Sequence, residues 1–153
     1  MKFFSLFILF FSLFPSLELD QEKKIKVLTP IQLEQKMRKE QRPIVIYYHT
    51  DWCKYCSVME AGTLGKGNIM DSLNQHYYFV KFNPKSTDSF KFFGRKYRYL
   101  KAEKYHEFKY VFDSVYAYPS LIFLSRNLEL IETVVGYQKP KSFMKYLNAY
   151  KYK

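Results

Sequence analysis

The chain has 153 residues, a length typical of one domain with a substantial core. Apolar residues make up 48% and charged residues 25% of the sequence, a composition that excludes a disordered chain. The formal net charge of +11 predicts either a solvated basic surface or one that attracts acidic partner proteins or anionic membranes. No nucleic-acid-binding motif accompanies this charge, so we expect no nucleic-acid partner.

The first residues are typical of a targeting segment. Lys2 precedes an apolar run from Phe3 to Phe14, which is shorter than the roughly 20 residues needed to span a bilayer but fits the hydrophobic region of a signal peptide. The cleavage site after Ser16 is poor, which leaves an uncleaved membrane anchor open. We therefore divide the chain into a signal peptide at 1–16, an N-terminal lead-in at 17–28 and a folded domain at 29–153.

Helix and strand patterns alternate along the folded domain. We predict helices at 29–40, from Cys53 to Gly62, at 68–75, at 102–112 and from Pro140 onward, and strands at 44–48, 77–83, 120–124 and 128–135. Thr29, Pro30 and Gln32 predict a capping box with proline at the first helical position. Strands alternating with helices imply a parallel core pair, and the last two strands add an antiparallel edge. The predicted class is therefore α/β.

Each amphipathic helix should turn its apolar side chains toward the sheet. The predicted inward residues are Ile31, Leu33 and Met37 in the first helix, Val58 and Met59 in the second, and Phe143, Met144 and Leu147 in the last. Alternating aromatic and basic residues from Phe90 to Leu100, around Gly94, predict a β-hairpin.

Both cysteines stand in one short motif, Cys53-Lys54-Tyr55-Cys56, directly after the predicted strand 44–48. A bond between them would close a loop too short to stabilise the fold, so a structural disulfide is the weaker interpretation. At the start of a helix, the free N–H groups and the helix dipole stabilise a thiolate, which predicts a low pKa for Cys53. Cys56 would then resolve the mixed disulfide, while Lys54 and Tyr55 modulate the redox potential.

Metal binding is the competing hypothesis for the two thiols. A zinc site needs four ligands, and only His49, His76, His106 and carboxylates could complete the set, so we predict no metal site. Copper can be held by two thiolates alone, although no methionine-rich stretch or histidine cluster accompanies them. A non-catalytic copper-delivery protein, or a module that only binds peptides, therefore stays as the alternative function.

Three features together resemble the thioredoxin-fold family: DWCKYC after an apolar strand, Pro119 before a strand and Gly136 late in the final strand. The similarity spans roughly Gln41 to Lys151. More narrowly, YHTDWCKYCSVME, FFGRKYRYL, YHEF, AYPSLIFL and VVGYQKPKSFMKYL resemble small exported bacterial thioredoxin-like proteins. These are themselves similar to the periplasmic thiol-reducing domain of the bacterial transmembrane electron carrier. The resemblance implies a central mixed sheet flanked by helices, with the hairpin inserted before the cis-proline strand, and a periplasmic location.

The resemblance also implies roles for individual residues. Cys53 matches the attacking cysteine and Cys56 the resolving cysteine, and Trp52 matches the tryptophan that packs beside them. Pro119 matches the cis-proline, and Tyr118 the residue whose main chain pairs with a bound substrate strand, a form of β-augmentation. The implied activity is that of a monomeric thiol–disulfide oxidoreductase without a bound cofactor. Its implied partners are disulfide-containing or dithiol proteins and a membrane thiol electron donor or acceptor.

This chain departs from cytosolic thioredoxins at two places near the cysteines. Those proteins carry Gly-Pro between the cysteines, where this chain has Lys54 and Tyr55. They also bury an aspartate six positions before the first cysteine, where this chain has Tyr47. Proton transfer to or from the resolving thiol would then need another group, for which Glu60, Asp51 and water are the candidates.

Two further expectations concern the region between the second strand and Pro119. The hairpin Phe90–Leu100 leaves the carboxyl end of a strand parallel to the one that feeds Cys53, so we expect it near the dithiol, where it would shape a basic, aromatic surface. His106 and Glu107 fall on the predicted helix 102–112. We expect them to form a surface pair, with a role at the site as the alternative.

Overall fold

The computed structural model describes residues 23–112 and 115–153. The predicted signal peptide at 1–16 and the first part of the lead-in lie outside the described residues. In chain order the elements are β1 (Val27–Leu28), α1 (Pro30–Met37), β2 (Ile44–Tyr48), α2 (Lys54–Met59), α3 (Gly67–His76), β3 (Tyr78–Phe82), β4 (Phe90–Phe92), β5 (Arg95–Tyr97), β6 (Tyr99–Leu100), β7 (Tyr105–His106), β8 (Ser120–Leu124), β9 (Leu130–Val135) and α4 (Pro140–Tyr150). Within this part of the chain, no helix is both long enough and apolar enough to cross a bilayer.

A central mixed sheet organises the domain, with the strand order β1-β3-β2-β8-β9. Strands β1, β3 and β2 run parallel to one another, and β8 and β9 add two antiparallel pairings. Every residue of β2 and β8 is buried, as expected for central strands that are covered on both faces. The predicted α/β class, a mixed sheet flanked by helices, is confirmed. The two-residue strand β1 was not predicted, because it is too short to show a pattern.

The two faces of the sheet carry separate hydrophobic clusters, because side chains alternate along each strand. Ile44, Ile46 and Tyr48 of β2 point into a cluster that includes α1. Val45 and Tyr47 point to the other face, where they pack with α3, α4 and the two cysteines. The Cys53–Cys56 motif therefore lies on the face opposite α1.

The helix ends and inward faces follow the sequence pattern closely. Thr29 Oγ1 accepts a hydrogen bond from the Gln32 N–H, and the Gln32 side chain accepts one from the Thr29 N–H, which confirms the capping box. The predicted inward residues that are buried or partly buried are Leu33, Met37, Met59, Phe143, Met144 and Leu147. Ile31 and Val58 are instead about half exposed, since each lies outside the three- and four-residue spacing of its buried neighbours.

The predicted hairpin is present and precedes β8. Strands β4 and β5 pair through a two-residue turn at Phe93 and Gly94, which both have positive φ angles, 46° and 79°. Two positive φ angles define the type I′ turn, whose twist matches that of the flanking strands. Gly94 meets this requirement without strain because it has no Cβ.

The expectation that this hairpin lies beside the dithiol is wrong for its tip. The Phe93 N–H donates to Glu34 Oε2 on α1 at 2.7 Å, and Phe93 lines a depression together with 126–128. Residues 126–128 belong to the turn that joins β8 to β9. This turn lies at the end of the sheet where Leu124 pairs with Ile44, which is the end of β2 away from Cys53. The hairpin folds this way because its inward rings are buried in the cluster that covers α1.

The helix predicted at 102–112 is also wrong. Strand β6 pairs with β7, and a 3₁₀ turn follows at Glu107–Tyr110. His106 is fully buried and does not form a surface pair: its ring stacks on Phe90 with centroids 4.9 Å apart, and its Nδ1 accepts a hydrogen bond from the Phe108 N–H. Phe108 itself contacts five aromatic rings of this region. The spacing of aromatic residues that predicted a helix therefore places these rings in one cluster instead.

Candidate active site

The cysteines follow β2 through a short loop that places Cys53 at the start of α2. The Cys53 N–H donates to the Thr50 carbonyl at 3.1 Å, and Cys53 is the N-cap residue of the helix. Its Sγ accepts a hydrogen bond from the Cys56 N–H at 3.2 Å. The two sulfurs form a disulfide with an S–S distance of 2.06 Å. Cys53 is 5% exposed and Cys56 2% exposed, so Cys53 is the more accessible of the two.

The helical segment that begins with α2 extends beyond the predicted end at Gly62. After Met59 the chain forms a π-helical turn, Glu60–Leu64, a type of turn that is frequent at functional sites. Gly65 ends this turn, and a Cβ there would lie 2.6 Å from the Ala61 carbonyl oxygen. The close approach of the main chain therefore requires glycine at this position.

Of the predicted substrate-binding residues, Trp52 and Tyr118 contact each other, and Pro119 follows Tyr118 in the chain. The Trp52 ring is 71% exposed and meets the Tyr118 ring edge to face, with centroids 6.2 Å apart. Tyr118 in turn packs against the cluster that contains both cysteines. The Tyr118–Pro119 peptide bond is cis, which agrees with the family resemblance. The Pro119 carbonyl accepts a hydrogen bond from the Gly136 N–H at 2.7 Å.

Tyr118 offers unused hydrogen-bonding groups at this position. Among the described residues, none hydrogen-bonds its main-chain N–H or C=O, and its buried hydroxyl has no partner. Burial raises the pKa of Tyr118 to about 12, and the hydroxyls of Tyr105 and Tyr110 contribute to that increase. The free main chain suits the pairing with a substrate strand that the resemblance assigns to Tyr118.

Beneath the cysteines, Tyr47 takes the place of the aspartate found in cytosolic thioredoxins. It is fully buried, and its hydroxyl donates to the Cys56 carbonyl at 3.2 Å. Burial raises its pKa, and the negative charge of Glu60 raises it further. Glu60 forms an ion pair with Lys81 at 2.7 Å, and Lys81 stands opposite Tyr47 on the neighbouring strand. A carboxylate is thus present one helical turn after Cys56, at the start of the π-helical turn, whereas β2 carries a tyrosine at the aspartate position.

The other predicted residues are more peripheral. Lys54 and Tyr55 are exposed on the outer side of α2. Asp51 accepts a hydrogen bond from Asn83 Nδ2 at 3.1 Å. His49 stacks on Tyr47 with centroids 5.8 Å apart, and burial lowers its pKa, as does the charge of Lys81. In residues 23–112 and 115–153, no group of three or more His, Cys, Asp or Glu side chains is arranged to hold a metal ion.

Several residues near the site were not predicted. Lys81 carried a signal, because it is a charged residue inside the otherwise apolar run Tyr77–Phe82. Tyr105 and Tyr110 act on Tyr118 from the segment that was predicted to be a helix, so no local pattern revealed them. Lys85 and Lys109 both lie over the Tyr105 ring, a contact that depends on the tertiary structure.

Three solved structures show the similarity of the whole fold. DsbH, described as an oxidoreductase, is 15% identical with a TM-score of 0.62, covering 85% of this chain and 87% of that chain. A thioredoxin from Thermus thermophilus is 15% identical with a TM-score of 0.61, covering 83% and 86%. The oxidised C-terminal domain of DsbD from Neisseria meningitidis is 14% identical with a TM-score of 0.57, covering 80% and 97%. At these identities the similarity concerns the fold alone.

A family model and a search of curated proteins complete the comparison. No curated protein matches the sequence. The model of a thioredoxin-like domain matches residues 32–151, which include the dithiol, the cis-proline strand and the final helix. With most of its length matched and a Cys-x-x-Cys pair at the start of α2, the chain belongs to the thioredoxin-like family.

Proposed function

We propose that the protein is an exported thiol–disulfide oxidoreductase that reduces disulfides in other proteins of the periplasm. The observation that carries this proposal is the position of the Cys53–Cys56 pair: it lies at a helix start, in a cluster against which Tyr118, the residue before the cis-proline, packs. A purely structural role is the weaker interpretation, because a disulfide that closes a loop of only four residues adds little stability to the fold.

The reaction uses both cysteines in turn. In the reduced protein, the Cys53 thiolate attacks one sulfur of the substrate disulfide, forms a mixed disulfide and releases the other substrate sulfur as a thiolate that takes up a proton. Cys56 then loses its proton and attacks Cys53 Sγ, which re-forms the Cys53–Cys56 disulfide and releases the second substrate thiol. The substrate gains two electrons from the protein and two protons, of which Cys56 supplies one and the solvent the other. A membrane thiol electron donor returns the pair to the dithiol state by the reverse exchange.

Glu60 is the group that we assign to proton transfer at Cys56. Its N–H donates to the Cys56 carbonyl within the helix, and its carboxylate pairs with Lys81 at 2.7 Å. Asp51, the other candidate carboxylate, is exposed and bound to Asn83. Tyr47 is a poor proton acceptor, because burial raises its pKa and keeps its hydroxyl protonated.

Export and the reducing direction rest on the sequence. The apolar run from Phe3 to Phe14 supports export, and the resemblance to a periplasmic thiol-reducing domain supports reduction over oxidation or isomerisation. The reduction potential of the Cys53–Cys56 pair tests the direction, followed through Trp52 fluorescence in thiol redox buffers. A value near −270 mV, about that of thioredoxin, is the expected result. A value of about −120 to −180 mV, typical of oxidants and isomerases, would contradict a reductant.

Trapping of the mixed disulfide tests the exchange reaction itself. A Cys56→Ser variant should accumulate covalent complexes with substrate proteins, because Cys53 still attacks and nothing resolves the product. The matched Cys53→Ser variant should accumulate none, since it lacks the attacking thiol. If neither variant forms a complex, the dithiol does not perform exchange, and a non-catalytic binder of copper or peptide becomes the better interpretation.

A further inference from the structure

Two lysines from different segments converge on one tyrosine ring near the active site. The ammonium group of Lys85 lies 3.7 Å from the Tyr105 ring centroid, and that of Lys109 lies 4.0 Å from the same centroid. Lys109 also lies over the neighbouring Tyr110 ring, at 5.4 Å. Because both ammonium groups contact the Tyr105 ring, they lie no farther apart than their two distances to its centroid added together. We call these four residues the lysine–tyrosine patch.

The patch is connected to the loop that precedes Cys53. Asn83 links Lys85 to the loop that carries Trp52: its Oδ1 accepts a hydrogen bond from the Lys85 N–H at 2.9 Å, and its Nδ2 donates to Asp51 Oδ2 at 3.1 Å. Tyr118 packs against the cysteine cluster and meets the exposed ring of Trp52. A protein whose disulfide reaches Cys53 would thus bring its flanking residues toward the patch.

Within the described residues, the ammonium groups of the patch contact tyrosine rings and a main-chain carbonyl instead of carboxylates. Among the described residues, neither Lys85 nor Lys109 forms an ion pair with a carboxylate, and Lys85 Nζ donates instead to the Lys104 carbonyl at 3.1 Å. Glu103 contacts the patch by accepting a hydrogen bond from the Tyr110 hydroxyl. The patch consequently keeps a net positive charge.

We propose that the lysine–tyrosine patch binds an acidic segment that flanks the disulfide of the protein substrate, an inference that rests on the proposed function. Carboxylates of the segment pair with the two ammonium groups, which repel each other in the free protein. The tyrosine rings and lysine stems supply apolar contact beside these charges. An acidic protein fits this position better than an anionic membrane, because the occupant must leave Cys53 open to a disulfide at the same time.

The test compares two synthetic peptides that share one internal disulfide. In one peptide about four flanking residues are Asp and Glu, and in the other they are Asn and Gln. The second-order rate constant of their reaction with the reduced protein is followed through Trp52 fluorescence. We expect the acidic peptide to react about tenfold faster in about 20 mM salt and less than about twofold faster in about 0.5 M salt, since salt screens the attraction.

Matched lysine variants locate the effect. In Lys85→Gln/Lys109→Gln the ratio of the two rate constants should fall about fivefold, and Lys85→Arg/Lys109→Arg should retain it. The control is Lys91→Gln/Lys96→Gln, which removes the same charge from two exposed lysines that pair across the β4–β5 hairpin. In this control the ratio should change less than about twofold.

Three outcomes would overturn the inference. The first is a ratio of the two rate constants near one in the unaltered protein. The second is an equal loss of that ratio in the glutamine variants of both lysine pairs. The third is a loss of binding to phosphatidylglycerol vesicles in Lys85→Gln/Lys109→Gln while the ratio for the peptides is kept. The last result would assign the patch to a membrane surface. If the unaltered protein reacts neither with the two peptides nor with the neutral 2-hydroxyethyl disulfide, the result contradicts both the proposed function and the inference about the patch.

Discussion

The ion pair between Glu60 and Lys81 should control how readily Cys56 loses its proton, and each partner should act with the opposite sign. Glu60→Gln leaves the positive charge of Lys81 unpaired beneath the dithiol, which stabilises the Cys56 thiolate. Lys81→Gln leaves the negative charge of Glu60, which destabilises the thiolate. The two side chains contact each other at 2.7 Å, so a variant without both charges should resemble the unaltered protein.

The size of the effect follows from the spacing along α2. Glu60 stands four residues after Cys56, and side chains at that spacing have Cβ atoms about 5–6 Å apart. The side chains of Lys81 and Glu60 are 33% and 36% exposed, so water screens their charges and an effective dielectric constant of about 40–80 applies. One charge at about 6 Å then changes the free energy of the thiolate by about 0.7–1.4 kcal/mol. This corresponds to about 0.5–1 pH unit.

The assay is the pH dependence of alkylation of Cys56 in a Cys53→Ser background, in which Cys56 is the sole thiol. The midpoint pH should fall by about 0.5–1 unit in Glu60→Gln and rise by a similar amount in Lys81→Gln. The control is Glu129→Gln, which removes an exposed carboxylate from the turn between β8 and β9 and should leave the midpoint within about 0.2 units.

Two results would refute this reasoning. If Glu60→Gln and Lys81→Gln move the midpoint in the same direction, the change reports a rearrangement of α2 and not the charge. If neither variant moves it beyond the Glu129→Gln control, the ion pair does not act on Cys56. Proton transfer would then have to be assigned to Asp51 or to water.

Three further predictions concern the packing that supports the site. Phe108→Ala removes a ring that is 1% exposed and should lower the free energy of unfolding by about 3–5 kcal/mol in urea, whereas Tyr152→Ala, at a ring 71% exposed, should change it by less than about 1 kcal/mol. Gly65→Ala would place a Cβ 2.6 Å from a main-chain oxygen and should cost about 1–3 kcal/mol in the same assay. Gly67→Ala, with nothing within 4 Å of its Cβ, should cost nothing measurable, and equal effects at both glycines would contradict the geometry. Burial lowers the pKa of His106, so the stability that its neutral ring provides is present above pH of about 6.5 and is lost as the pH falls through the folded-state value. The difference in unfolding free energy between the unaltered protein and His106→Phe should therefore shrink from about pH 7.5 to about pH 5, and a constant difference would show that His106 does not titrate on unfolding.

Much of the fold could be predicted because the relevant interactions are local. The Thr29–Gln32 capping box involves atoms three residues apart, and the type I′ turn at Gly94 depends on two adjacent φ angles. The buried strands β2 and β8 appear in the sequence as continuous apolar runs, which helices on both faces require. The Cys53–Cys56 motif at a strand-to-helix junction was recognisable for the same reason.

The prediction failed where distant rings decide the local structure. The segment 102–112 has a helical spacing of aromatics, but His106 and Phe108 are drawn into a cluster with Phe90 and other rings of the hairpin. Burial of several large rings outweighs a helix propensity of a few tenths of a kcal/mol per residue. The same packing directs the hairpin along α1, with its tip away from Cys53.

By itself, the sequence determined that this is an α/β domain with a Cys-x-x-Cys pair at the start of a helix, because the hydrophobic periodicity, the helix caps and the cysteine spacing each act over a few residues. Only the tertiary structure decided which charges surround that dithiol. Glu60 meets Lys81, 21 residues away, because the register of β2 and β3 places Lys81 beside Tyr47 beneath the helix. Lys85 and Lys109 meet on Tyr105 because the chain returns to the active-site side after the hairpin. Such contacts depend on how the elements pack together, which no local pattern encodes.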